Sequence, residues 1–363
     1  MELKPSKEGL NSSKDKKSPE SRKISMTSHE TTLSGKTFPL THHGNPPILL
    51  SLKNEFRHSK TWKISWLDRT GEKLNVAVFL QFIVGGLFLG GIYTLIALGI
   101  VIIYKSTKVF NFAQGWMVTL SAFILVTFIG KFGVVVGMII GLAAGALIGL
   151  IIERLLMRPL IGQPLITALL LTIMLAYVIE GVNILAWGSF GYDIPVTLPG
   201  ESMKVGEVVI SHDLLWGLGI AVMAFAAFSF FYWRTPMGKV MRATAEDHQV
   251  SQSLGLPVKG VFALSWIFAG LLSIVAGFFL GMISGVHYLM YTGLLGAIVV
   301  VFLGGLDSVA GAIVGGMILG LIKSLVAGYL SPDLARAVIF IILLVILVIK
   351  PYGLFGLPRI ERL

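Results

Sequence analysis

From Val76 onward the sequence is dominated by eight long apolar stretches. The hydrocarbon core of a bilayer is about 30 Å thick, and an α-helix crosses it in about 20 residues. The stretches match that length: Val76–Tyr104, Phe112–Ile129, Val134–Ile152, Leu165–Trp187, Leu214–Trp233, Val261–Ile283, Leu294–Ala327 and Ala337–Ile349. Because backbone groups in lipid must be bonded within the segment, and the alternation of barrel strands is missing, each stretch is predicted to be helical. We expect an all-α integral membrane protein, a polytopic bundle of about eight or nine transmembrane helices.

The seventh stretch is too long for one crossing. As a continuous helix, Leu294–Ala327 would reach about 51 Å, well beyond the bilayer. A glycine-rich run, Gly304-Gly305-Leu306-Asp307-Ser308, interrupts it. We therefore expect a break at this run, with the chain bending or crossing twice.

Only 13% of the whole chain is charged, compared with about 25% in soluble domains, but residues 1–73 differ from the rest. They are polar and basic, which predicts a disordered N-terminal tail before a transmembrane domain over 74–363. Such a tail can contact nucleic acid or anionic lipid, or stay solvated without a partner. Among these partners we expect membrane lipid and no nucleic acid.

The sequence excludes several kinds of chemistry. With no cysteine, the chain cannot form disulfides, zinc–thiolate sites or iron–sulfur clusters. It contains no P-loop of the G-x-x-x-x-G-K-[ST] type and suggests no hydrolytic triad, so it is not expected to bind ATP or to be an enzyme. We expect no catalytic residues, no metal and no cofactor, and any energy for transport must come from a partner.

Charge in the short loops predicts the orientation of the bundle. Segment 234–260 is basic, whereas segment 188–213 carries one lysine against four acidic residues. By the positive-inside rule, 234–260 is cytoplasmic and 188–213 lies outside. Counting crossings backwards puts the basic tail outside, which the rule disfavours, so the side of the tail stays open.

Small residues predict where helices pack closely. Gly137, Gly141, Gly145 and Gly149 recur every four residues and share one helix face. Helices in lipid associate through such faces, because small residues allow their backbones to approach. A pathway lined by flexible glycines is the alternative.

Three ionisable residues lie within the apolar stretches, where such groups are costly and often functional. Glu180 is near the outer end of its stretch. It is either a proton or substrate site or a group that reaches water at the interface. Lys323 is near the end of the seventh stretch, either functional or snorkelling to the interface. Asp307 lies in the glycine-rich run, where its presence is explained if it only helps to end a helix; a functional role is the alternative.

The cytoplasmic segment 235–257 reads as one short amphipathic helix. Thr235 is suited to cap its N-terminus, Pro236 to its first position, and Gly255 with Pro257 to its end. Val240, Ala243, Val250 and Leu254 are predicted to share its apolar face. A helix of this kind lies on the membrane or fits a groove on a partner, and its residues alone do not decide between the two.

Five blocks in order along the chain resemble one family of membrane proteins. They are V-F-N-F-A-Q-G at 109–115, M-R-P-L at 157–160, the segment R-T-P-M-G-K-V-M-R-A-T-A-E-D-H-Q-V-S-Q-S-L-G-L-P at 234–257, V-F-L-G-G-L-D-S at 301–308 and K-P-Y-G-L-F-G at 350–356. The sequence from Val76 to Gly356 resembles the ABC importer permeases of the high-affinity branched-chain amino acid type. Segment 234–260 then looks like their ATPase-coupling loop.

The resemblance implies a permease subunit in a bacterial inner membrane. Its implied partners are a second homologous permease, two cytoplasmic ABC ATPase subunits and an external substrate-binding protein. Arg242, Glu246 and Asp247 are the implied contacts with the ATPase, and Gly255 ends the coupling helix.

The implied solutes are branched-chain amino acids, with urea or short amides as the alternative. A membrane scaffold subunit that transports nothing is the alternative from another class.

Polar residues near the implied translocation pathway are Asn111 and Gln114, together with Glu180. For the first two, the alternative is an internal hydrogen-bonded break between the first two spans. The sequence departs from the family pattern at Gln114, Trp116, Asp307 and Lys323.

Overall fold

The computed structural model describes residues 76–196, 203–205, 208–210, 212–246 and 248–356. The predicted tail, residues 1–73, lies outside the described residues. Helices account for nearly all of the described chain, and eight of them are long and apolar enough to cross a membrane. The protein is thus an all-α polytopic membrane bundle, as the apolar stretches predict.

The helices follow the predicted stretches closely. They are α1 (Val76–Thr107), α2 (Gln114–Phe132), α3 (Val134–Ile152), α4 (Leu165–Trp187), α5 (His212–Arg234), α6 (Pro236–Glu246), α7 (His248–Ser253), α8 (Val258–Ser284), α9 (Gly293–Gly304), α10 (Val309–Tyr329) and α11 (Pro332–Ile349). Between α4 and α5, strands β1 (Met203–Val205) and β2 (Val208–Ile210) pair antiparallel, with Lys204 opposite Val209. This small hairpin is an addition that the sequence reading did not predict.

The predicted break in the seventh stretch is confirmed. Helix α9 ends at Gly304, and Gly305 adopts φ +107°, a conformation that favours glycine. Ser308 then caps α10, its side chain accepting a hydrogen bond from the Gly311 N–H at 2.9 Å. At 12 residues α9 is too short to cross alone, and a 3₁₀ turn over Tyr288–Thr292 precedes it. After α8, the chain therefore crosses back through the 3₁₀ turn and the short helix α9 instead of through one continuous helix.

Helix α1 is the centre of the bundle. Every residue from Gly90 to Ile103 is buried, and α1 contacts α5, α6, α8, α9 and α10. Its sequence is apolar on all sides, which is typical of a helix surrounded by others. Movement of any neighbour is therefore transmitted to α1 by direct contact.

Glycines bring the backbones of neighbouring helices together. On α3 the buried residues are Ile152 and the four glycines Gly137, Gly141, Gly145 and Gly149. A Cβ placed on Gly145 would lie 2.7 Å from the Gly270 carbonyl oxygen of α8. The same close approach joins α1 to α10, where a Cβ on Gly90 would lie 2.7 Å from the Gly316 carbonyl oxygen. At both interfaces the space that a side chain would need is occupied by backbone.

Contacts between loops define the two ends of the bundle. At one end, Tyr192 and Val286 pair through two backbone hydrogen bonds, which joins the loop after α4 to the loop after α8. At the other end, the Leu354 N–H donates to the Leu303 carbonyl, so the C-terminal segment meets the end of α9. By the charge argument, the first end faces outward and the second faces the cytoplasm.

Adding one methyl group at Gly145 is expected to destabilise the protein. Gly145→Ala forces α3 away from α8, and overpacking of this kind costs about 1–3 kcal/mol. The matched control is Gly219→Ala on α5, where a Cβ meets no atom within 4 Å. Thermal unfolding in detergent should show a lower melting temperature for the first variant alone; equal melting temperatures would contradict the packing role of Gly145.

The orientation can be tested with single cysteines, since the natural chain has none. Ser189 and Ser253 are both exposed and lie at opposite ends of the bundle. A membrane-impermeant thiol reagent should label Ser189→Cys in intact cells, and Ser253→Cys only after the membrane is opened. The reverse pattern would invert the topology.

Candidate functional site

Helix α6 is anchored to the cytoplasmic end of α5. Its N-terminus is capped as predicted: the Thr235 hydroxyl accepts from the Gly238 N–H at 3.0 Å and donates to the Phe231 carbonyl at 2.6 Å. Gly238 is buried against the last turn of α5, where any side chain would collide with backbone carbonyls. The direction of α6 is therefore set by α5.

The predicted single helix over 236–254 is two helices in the structure, α6 and α7. Position 247 lies between them, and the predicted contact Asp247 falls outside the described residues. After α7, Gly255 adopts φ +75°, and the Leu256 N–H donates to the Ser251 carbonyl at 3.0 Å. Gly255 thus ends the helical segment at the predicted residue.

The predicted apolar face of this segment is confirmed only at Val240, which packs against the core of the bundle. Residues Gly238, Met241, Thr244 and Ala245 face the bundle, whereas Ala243, Val250 and Leu254 face outward. Val240 and Ala243 lie on α6, Val250 lies on α7 and Leu254 follows α7, so one helical periodicity does not describe the whole face. Leu254 is 73% exposed and Val250 is 54% exposed. Together with exposed Glu246 they form an outward surface, here called the docking surface.

Arg242 points toward the bundle. Its guanidinium donates to the Tyr232 carbonyl and lies 5.4 Å and 4.8 Å from the ring centroids of Tyr232 and Trp233. Cation–π contacts and a charge-assisted hydrogen bond therefore hold α6 to the end of α5. This arrangement links Arg242 to α5, whereas Glu246 stays on the exposed side.

Next to α6, three segments meet at the cytoplasmic end of α1. Lys105 Nζ donates to the Asp307 carbonyl at 3.0 Å, and Lys108 Nζ lies 3.3 Å from Asp307 Oδ1. Lys105 also lies 5.6 Å from the centre of the Tyr232 ring of α5. Asp307, whose predicted role was to end a helix, also joins the α9–α10 break to α1.

Asn111 and Gln114 form a buried hydrogen-bonded break between α1 and α2. Both are 0% exposed. Asn111 Nδ2 donates to Gln114 Oε1 at 3.1 Å, and Gln114 Nε2 donates to the Ser273 hydroxyl of α8 at 2.9 Å. Asn111 Oδ1 accepts from the Ala113 N–H at 3.0 Å. In this conformation the two side chains bind one another and α8, and neither faces an open path.

Glu180 lies away from that cluster. It is half-buried on α4 and makes no hydrogen bond or ion pair with any part of the chain that the structure describes. Asn183, one turn further along, is fully buried, and its amide has no hydrogen-bond partner among the described residues. The structure therefore does not join Glu180 to Asn111 or Gln114.

These features define the class of the protein. It crosses the membrane many times and presents an anchored amphipathic helix at one end. The sequence profile of the family described as branched-chain amino acid transport system / permease component matches residues 82–347, and the chain belongs to this family.

Individual relatives cover the same part of the chain. The chain is 29% identical over 306 residues to the high-affinity branched-chain amino acid transport system permease protein LivH of Escherichia coli, with 78% of this chain and 97% of the relative covered. It is 30% identical over 300 residues to the permease protein BraD of Pseudomonas aeruginosa, covering 78% and 98%. A probable LivH of Methanocaldococcus jannaschii is 26% identical over 309 residues, covering 77% and 94%.

Among solved structures, PsaBC from Streptococcus pneumoniae in complex with Fab is similar over 79% of this chain and 96% of that chain. The two are 15% identical with a TM-score of 0.43, which is too low to support an inference about this protein.

Replacing Gln114 by a residue of similar size should separate a structural role from contact with solute. Gln114→Met leaves the buried Asn111 amide without its oxygen partner, which costs about 1–3 kcal/mol. We expect a lower melting temperature and unchanged uptake per folded transporter. The control is Ser189→Ala, which removes an exposed hydroxyl away from both sites, so its effect on stability stays within about 0.5 kcal/mol. A changed KM for solute with an unchanged melting temperature would instead place Gln114 on the pathway.

Proposed function

We propose that this protein is the permease subunit of an ATP-driven importer that moves branched-chain amino acids across the bacterial inner membrane. A second homologous permease would complete the membrane part, with two cytoplasmic ATPase subunits supplying the energy. An external binding protein would deliver the solute. Family membership supports the transport role, and the names of the LivH and BraD relatives, both branched-chain amino acid permeases, support the choice of solute.

The observation that carries this proposal is the anchoring of α6. A helix lying loosely on a membrane needs no fixed direction, whereas a coupling element must transmit force to the spans. Thr235, Gly238 and Arg242 all bind α6 to α5, and α6 also contacts α1. Exposed Glu246, Val250 and Leu254 offer a mixed apolar and acidic surface to a partner groove.

A push on the docking surface would then travel through packed elements. Helix α6 bears on α5 and on the cytoplasmic end of α1, where Lys105 and Lys108 bind Asp307. Since α1 contacts both α8 and α10, tilting α1 moves these spans together. The mechanism we propose is rigid-body alternating access, in which ATPase closure switches the bundle between outward-open and inward-open states.

Truncating the docking surface tests the proposal. Glu246→Ala combined with Leu254→Ala removes two exposed side chains, so folding should change by no more than about 1 kcal/mol. Desolvated charged contacts with a partner cost about 2–5 kcal/mol when truncated, so ATPase association should weaken by about 30-fold or more. Uptake of radiolabelled leucine should be lost. The readouts are co-purification of the ATPase and uptake, with Lys350→Ala as the surface control.

A second variant separates docking from force transmission. Arg242→Gln loses its cation–π contacts with α5 but leaves Glu246, Val250 and Leu254 in place. We expect the ATPase to co-purify while uptake falls. Full co-purification and full uptake in the Glu246/Leu254 variant would contradict the coupling role of this segment, whatever the second variant does.

A further inference from the structure

A pocket of about 380 Å³ opens near the end of the bundle opposite α6. Five elements converge on it: Tyr93 of α1, the end of α8, the first turn of α9, Lys323 of α10 and the first turns of α11. Its ionisable lining residues are Tyr93, His287, Lys323 and Arg336, and none is acidic.

Lys323 is turned into this pocket. Its ammonium donates to the Tyr93 hydroxyl and lies 5.0 Å from the centre of the Tyr93 ring, which is 5% exposed. No carboxylate within the described ranges pairs with Lys323. A cation held inside a span by a hydroxyl and a ring lacks a counter-charge, which favours an anionic ligand.

Arg336 adds a second unpaired cation. It is exposed on the second turn of α11 and makes no ion pair with the residues that the structure describes. Asp333, in the first turn of the same helix, does not line the pocket. The helix N-termini add partial positive charge, since Gly293 at the start of α9 and Pro332 at the start of α11 both line the pocket.

The rest of the lining suits an aliphatic zwitterion. Most of the other lining side chains are apolar: Leu280, Leu289, Met290, Leu295, Ile339 and Phe340. The hydroxyls of Ser284 and Thr292 donate to backbone carbonyls, which leaves their lone pairs free to accept from an ammonium group. The pocket thus combines two cations, an apolar wall and hydroxyl acceptors.

We propose that this pocket is a solute-binding station, in which Lys323 and Arg336 bind the carboxylate of an aliphatic amino acid. The proposal rests on the transport function proposed above and adds to it the residues that recognise the solute. The apolar wall takes the side chain, and the ammonium faces Ser284 and Thr292. Tyr93 positions Lys323 by accepting its hydrogen bond.

Binding and uptake test the station separately. The assembled transporter, purified with its ATPase subunits, is assayed by equilibrium dialysis with radiolabelled L-leucine, using L-leucinamide as the analogue without a carboxylate. The variants are Lys323→Gln, Lys323→Arg and Arg336→Gln. Lys131→Gln is the matched control, since Lys131 is an exposed cation at the same end of the bundle that does not line the pocket. ATP-driven leucine uptake is measured in proteoliposomes that contain the same proteins, with the external substrate-binding protein present.

We expect the wild type and Lys131→Gln to prefer leucine over leucinamide. Lys323→Gln and Arg336→Gln should each lose about tenfold in leucine affinity, with no change for leucinamide. Lys323→Arg should retain the preference, which a purely structural role for Lys323 would not predict. Because Arg336 is exposed, its variant tests the pocket even if Lys323→Gln fails to fold.

Two outcomes would overturn the station. The first is that Lys323→Gln and Arg336→Gln both keep the wild-type preference for leucine over leucinamide. The second is that the two variants lose leucine uptake only in membranes that contain phosphatidylglycerol and not in pure phosphatidylcholine. That result would assign Lys323 and Arg336 to binding a lipid headgroup. Absence of ATP-driven leucine uptake by the wild type, with the carboxylate preference intact, would contradict the transport function and leave the station standing.

Discussion

Close approach of helix backbones is the constraint on which the whole bundle depends. Lipid gives apolar helices no hydrophobic reason to associate, so van der Waals contact at short range must hold them. Glycines provide that contact where α1 meets α10, at Gly90 and Gly316, and where α3 meets α8, at Gly145 and Gly270. With α1 fixed in this way, one rigid element runs between the end of the bundle that carries α6 and the pocket that contains Lys323.

Several unrelated stretches of sequence converge at the cytoplasmic end. The glycine-rich break at 304–308 binds Lys105 and Lys108, and the C-terminal segment hydrogen-bonds to Leu303 and Gly304. The first turns of α6 lie on α5 close by. Separate blocks of the family pattern are therefore neighbours in space. This convergence explains how a short amphipathic helix can act on spans from distant parts of the chain.

Polar residues inside the bundle serve two different purposes. Where the chain turns from α1 into α2, Asn111 and Gln114 hydrogen-bond to each other, and Gln114 also hydrogen-bonds to Ser273. A buried amide without such bonds would be costly. Among the residues that the structure describes, no carboxylate pairs with Lys323 or with the exposed Arg336. The proposed solute station depends on that difference, since a fully satisfied group has little to offer a ligand.

Helix positions, the break at Gly304–Ser308, the cap at Thr235 and the end at Gly255 follow from the sequence, because hydrophobic length and capping chemistry are local properties. The family blocks also predict a coupling loop over 234–260. The direction of each side chain was decided by tertiary structure. Arg242 turns toward α5, Val250 and Leu254 turn outward, and Lys323 reaches Tyr93 on α1, 230 residues away in sequence. Such contacts depend on which helices become neighbours, and the spacing of residues along one helix carries no information about that.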